Sequence, residues 1–178
     1  MTTNNPSQTL PAHQTIFPDW FRWYQYLGSD WVLMPIRRNG IPFKGWSTHD
    51  WPQNNIIAKA VRLNSNLAVR LTDTQFVVCI RDDIDDLILE KLDERLEYGL
   101  AWAPCAEAPG CTHYYFRKPA TERLPFGLRR KWPGVHIRSE GQCVIAAGSL
   151  SPAGFLYEWE WLGNHLSKAP EICPSNLI

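Results

Sequence analysis

Apolar residues run along this chain in two rhythms, a helical one early and an alternating or continuous one later. The first 16 residues or so are polar, contain proline and show no periodicity, which predicts a disordered lead-in. Asp19 then suits a helix N-cap, with Trp20, Trp23, Tyr24 and Leu27 at helical spacing before Gly28, so a short amphipathic helix is expected. The continuous apolar run WVLMPI (31–36) predicts a buried strand, followed by a loop with an Asn39-Gly40 turn signal. Pro52 opens a second expected helix over 52–64, with Ile56, Ala60 and Leu63 on one side. NLAVRLT (66–72) and FVVCI (76–80) flank Asp73-Thr74-Gln75, a pattern for two adjacent strands joined by a tight turn. Behind them Ile84, Ile88, Leu92 and Leu96 recur every fourth residue before Gly99, the clearest helical signal in the chain.

The second half reads as strands. LAWAP (100–104), THYYFRK (112–118), GVHIR (134–138), QCVIAAG (142–148) and FLYEWEW (155–161) are short runs rich in Val, Ile, Tyr, Phe and Trp, bounded by Pro and Gly. FLYEWEW alternates, as a strand with one buried face does. Helices and strands mixed early, followed by strands alone, predict an α+β or mixed α/β sheet. With 178 residues and no internal repeat, one domain over 17–165 is expected, with a weakly patterned tail at 166–178.

Composition removes some partners and leaves others. Lys+Arg 18 against Asp+Glu 18 gives no global basic field, so nucleic acid would have to be met by a local patch. Nine tryptophans supply buried area and also stacking surface. Five scattered cysteines without a C-x-x-C pair indicate neither a disulfide framework nor a thiolate zinc site. The start has no charged-then-apolar leader, and no run reaches the ~18 apolar residues of a membrane span, so a cytoplasmic protein without a membrane partner is the expectation.

Three stretches carry candidate chemistry. In RDDID, after FVVCI, Asp82, Asp83 and Asp85 leave the end of a buried strand, where carboxylates commonly hold Mg²⁺. Alternation would point Arg81 and Asp83 together and Asp82 away. The same acids would equally cap the following helix. In APGCTHYYF a glycine turn leads to Thr112 and His113, where free N–H groups and an imidazole suit an anion; a half-buried strand histidine fits as well. In PGVHIRSEGQCVIAAGS, His136 and Arg138 share a strand face and Ser149 follows a second glycine; Arg138 suits either a phosphate or open solvent. A fourth feature is the basic stretch holding Arg117, Lys118, Arg123, Arg129, Arg130 and Lys131, with Phe126 and Trp132 interleaved. That is the composition of a backbone-tracking, base-stacking surface, or of a solvated loop.

Taken in order, WVLMPI, KGW, NLAVRLT, FVVCIRDD, PGCTHYYFR, PGVHIRSEGQCVIAAGS and LYEW resemble the N-terminal domain of bifunctional DNA primase-polymerases, the prim-pol branch of the archaeo-eukaryotic primase superfamily, over about residues 31–160. The resemblance implies an α+β prim-pol unit with an RRM-like mixed sheet and an N-terminal α/β portion. It also implies template-directed nucleotidyl transfer with Mg²⁺ or Mn²⁺, nucleoside triphosphate and single-stranded or template DNA as partners, and room for a separate helicase.

The motifs carry over unevenly. Asp83 matches the second acid of the first motif, but Arg81 stands at the position of the first. Thr112 and His113 match the nucleotide-binding motif, with Cys111 in place of a small residue; Gly134 and Arg138 match the third motif, whose aspartate position holds His136. A fixed cation at a metal-ligand position repels Mg²⁺ by several kcal/mol at an effective dielectric of about 20. The expectation is therefore a degenerate site, with Arg81, Thr112, His113, Arg138 and Ser149 gripping nucleotide and transfer weak or lost. One alternative is an active primase-polymerase with catalytic Asp83, His113 and His136 and a rearranged metal site at Asp83 with Asp82 or Asp85. The other is a protein-interaction module on the same scaffold.

Overall fold

The computed structural model describes residues 30–48, 51–96, 101–103, 110–119, 121, 132–151, 154, 155, 157, 161 and 162. The expected helix at 19–28, both terminal segments, and Arg123, Arg129, Arg130 and Lys131 of the basic stretch lie outside them.

The apolar run after Trp31 forms β1 (Val32–Ile36), which pairs with β2 (Asn66–Arg70), itself paired on its other edge with β7 (Cys143–Ile145). Pro35 is tolerated because β1 is the edge of this three-stranded sheet. The side chain of Gln53 covers that edge, accepting from Leu33 N (2.8 Å) and donating to Leu33 O (2.9 Å). Gln53–Asn55 is a 3₁₀ turn running into α1 (Ile56–Arg62), whose Ile56 and Ala60 are buried against the sheet. Leu63, expected on the same face, is 43 % exposed. The helix stops one residue before it, and Asn64 takes a positive φ of 46°.

A tight turn at 72–75 does form, with Gln75 N donating to Thr72 O (3.3 Å) and Thr72 N donating to the Gln75 amide oxygen (3.2 Å). The strands it joins nevertheless part, contrary to the expected hairpin. Both edges of β2 are occupied by β1 and β7, so β3 (Gln75–Arg81) enters a second sheet. That sheet has the order β6-β3-β5-β4-β8, with β4 at Ala101–Ala103, β5 at Cys111–Arg117, β6 at Val135–Arg138 and β8 at Trp161–Leu162. Every described pairing is antiparallel, where a mixed sheet was expected. The FLYEWEW strand is described only at Phe155, Tyr157 and Trp161–Leu162.

Alternation along β3 divides its side chains between two cores. Phe76, Val78 and Ile80 pack with Phe116, Val135, and Leu92 and Leu96 of α2 (Asp86–Leu96). Val77 and Cys79 pack on the opposite face with Tyr115, Trp31 and the three-stranded sheet. The five-stranded sheet thus lies between α2 on one side and the smaller sheet with α1 on the other, an α+β arrangement. Among the described residues no helix is long and apolar enough to cross a membrane.

Candidate functional site

The site is built where β3, β5 and β6 run side by side. Cys79 lies opposite His113 on β5 and His136 on β6, giving a His136–Cys79–His113 row across three strands. One step toward the strand end, Arg81 opposes Cys111; one step back, Val77 opposes Arg138. Opposed residues and residues two apart share a sheet face, so Arg81, Cys111, His113, His136 and Arg138 look toward the smaller sheet. Arg81 and Arg138 are separated by four residue steps along β3, about 13 Å, with the two histidines midway.

Backbone contacts fix the end of the strand. Arg81 N donates to Gly134 O and Asp82 N to Gly110 O, each at 3.0 Å. Gly134 holds φ +84°, and a Cβ there would sit 3.5 Å from Ile84. Only glycine adopts that conformation without strain, so its place in the PGVHIR motif has a structural cause.

Beyond Arg81 the three acids go three ways. Asp83 is ion-paired to Arg81 at 2.5 Å, both side chains about half exposed. Asp82 accepts from the Thr112 hydroxyl at 3.4 Å. Its carboxyl is pushed up by burial and by the nearby Cys111 charge. Asp85 caps α2, accepting from Leu87 N at 2.8 Å, which is the helix-capping role the sequence also allowed. A two-ion centre needs converging carboxylates; here one is matched to a guanidinium and another is turned to a backbone N–H. These residues do not fit such a centre, and among the described residues no group of three or more His, Cys, Asp and Glu is arranged to hold a metal ion.

The imidazole of His113 is buried and stacks on Tyr157, ring centroids 4.8 Å apart and 17° between planes. Tyr157 is brought there by the turn after β7, its N–H donating to Ser149 O at 2.9 Å. The Nδ1 of His113 has no hydrogen-bond partner among the described residues. His136 is exposed. Arg138 is half-buried, close enough to Cys79 on one sheet and Cys143 on the other to favour the thiolate of both. Between Cys79 and Cys111 it is the Cys79 thiol that donates, the Cys111 sulfur accepting. That bond, against the opposing effect of burial and with help from His113 and His136, pulls the Cys111 thiol well below its usual range.

Other expected site residues sit elsewhere. Thr112 opposes Ile80 and so faces the α2 side, away from His113. Ser149 is buried, its hydroxyl accepting from Leu67 N and donating to Leu67 O, both at 2.9 Å. Arg117 makes a two-pronged pair with Asp30 at 2.6 and 2.9 Å. Lys118 is 3 % exposed, its ammonium donating to the carbonyls of Asp73 and Pro119. Trp132 packs against the α2 core, with Lys91 over its ring at 5.7 Å. Sequence reasoning passed over Cys79 and Tyr157. Cys79 is two residues before Arg81, a spacing that already placed it on the site face; Tyr157 carried no local signal, since the turn after β7 delivers it.

The family model described as bifunctional DNA primase/polymerase, N-terminal, matches residues 24–175. The chain belongs to that family. No curated protein gives a match.

Proposed function

We propose that this prim-pol domain binds nucleoside triphosphate or nucleic acid in a replication-related role and has weak or no template-directed nucleotidyl transfer. The observation that carries the reading is the Arg81–Asp83 ion pair at the end of β3, which sets a guanidinium against the carboxylate that a metal would need. Support comes also from the line of Arg81, His136 and Arg138 along one sheet face, a spread of donors suited to a chain of phosphates rather than to one. The four strands β6-β3-β5-β4 with α2 on one face are the part we read as RRM-like. On this reading the substrates are nucleotide and single-stranded or template DNA, a helicase acts as a separate partner, and the protein works in the cytoplasm.

The test is binding of a fluorescent nucleoside triphosphate without divalent metal, alongside primer extension with Mn²⁺. Arg138→Ala is expected to weaken binding about tenfold or more, the loss of a charge-assisted phosphate contact, and Arg130→Ala by clearly less. Equal losses, or extension products at ordinary enzyme concentration, would overturn it.

A further inference from the structure

Cys79 and Cys111 are free and stand on neighbouring strands, β3 and β5. Cys79 opposes His113 and Cys111 opposes Arg81, so the two cysteines stand diagonally to one another on the site face. Their exposure differs in a useful way: Cys79 is 6 % exposed, whereas Cys111 is half-buried. Cys79 keeps its proton and donates it toward Cys111, a bond that lifts the Cys79 thiol well above its usual range together with burial. The groups facing Cys111 are Cys79, His113 and His136, which favour its charge, and Asp82, which opposes it. A half-buried thiol of lowered pKa, with a protected second thiol diagonal to it on the same sheet face, is the layout of an oxidisable pair with a resolving partner.

We propose that Cys79 and Cys111 form a peroxide-responsive thiol pair, Cys111 taking the oxidation and Cys79 resolving it as an intramolecular disulfide. In the first step the Cys111 thiolate attacks the distal oxygen of a hydroperoxide. An S–O bond forms and the O–O bond breaks; the alkoxide or hydroxide leaves and takes a proton, and sulfur is oxidised to the sulfenic acid. Then Cys79, having given its proton to solvent, attacks Cys111 Sγ; the S–S bond forms, and hydroxide leaves and is protonated to water. The sum is two thiols plus hydroperoxide giving disulfide, alcohol or water, and one water. Diagonal neighbours lie about 7–8 Å apart at Cα, whereas disulfides prefer about 5.5–6 Å, so closure draws β3 and β5 together and a dithiol reopens the bond readily.

The experiment treats the full chain with hydrogen peroxide, alkylates remaining thiols, and identifies linked peptides by mass without reduction. The expected product joins Cys79 to Cys111, disappears on adding dithiothreitol, and forms about tenfold faster than any oxidation of Cys143, whose thiol burial pushes up. Cys79→Ser is expected to stop at a Cys111 sulfenic acid captured by dimedone, and Cys111→Ser to leave Cys79 unmodified. A dimedone adduct on unaltered Cys111 with no link to Cys79, or oxidation of Cys143 at the same rate, would overturn the proposal. Nucleotide plays no part in this readout, so its outcome is separate from that of the binding test.

Discussion

Polar side chains are buried in two places in this domain, and they are treated in opposite ways. Where β2 meets the chain after β7, Asn66 donates to Leu150 O at 2.6 Å and accepts from Leu150 N at 3.2 Å, while Ser149 exchanges hydrogen bonds with Leu67. Each group named there is matched. At the end of β3, by contrast, His113 keeps an unpartnered Nδ1, and the thiols of Cys79 and Cys111 are pushed in opposite directions, Cys79 up and Cys111 down. A matched buried group contributes stability, whereas an unmatched one costs about 1–3 kcal/mol. The first region is a clasp that fixes how the smaller sheet closes. The second leaves a buried hydrogen-bonding group unmatched, at a cost in stability.

Mutations of the buried polar side chains should separate the two regions by the sign of their effect. The largest loss is expected for Asn66→Ala, about 2–3 kcal/mol, because both polar atoms of the Leu150 backbone lose their side-chain partner; urea unfolding should show a lower midpoint at unchanged slope. Gly134→Ala comes next, at about 1–2 kcal/mol, since alanine must hold a φ near +84°; the same denaturation curve reads it, and a loss of triphosphate binding should accompany it through the displaced Arg81. His113→Phe should go the other way. It preserves a ring to stack on Tyr157 and removes the unpartnered nitrogen, against the loss of the bond His113 makes to Cys111, so a gain of under about 1 kcal/mol is expected, and a loss instead would mean the histidine belongs with the clasp.

The smallest effect is at the rim. Burial pushes the Asp30 carboxyl up, but the hydrogen bond and charge of Arg117 outweigh it and hold the group below its ordinary value of 3.8. A depressed folded-state value means the stabilisation is complete above about pH 4 and drains away as pH falls further. With both side chains partly exposed, Asp30→Asn should cost under about 1 kcal/mol at pH 7. The difference between the variant and the unaltered chain should shrink toward zero in thermal melts near pH 2.

Much of this was legible in the sequence wherever the cause was local. The apolar run at 31–36 became β1, and the fourfold spacing of Ile88, Leu92 and Leu96 became α2. Asp85 declared its capping role by standing just before that helix. What escaped depended on partners distant in the chain. The separation of β2 from β3 follows from the pairing of β2 with β7, about 75 positions further on by register. Ser149 looked like a ligand contact beside a glycine because nothing nearby showed that Leu67 would take its hydroxyl. Lys118 carried the signature of a surface cation, yet the carbonyl of Asp73 draws it inward.

The clasp also has a kinetic meaning. Its bonds join Asn66 to Leu150 and Leu67 to Ser149, positions 84 and 82 apart, and closing so long a loop is entropically unfavourable until the intervening chain is organised. The β1-β2 ribbon is therefore expected to wait, one edge unfilled, while β3 to β6, which lie between β2 and β7 in the chain, assemble, and β7 to join it after them. Refolding should then show the Trp31 environment maturing after the amides of β3 and β5 are protected from exchange.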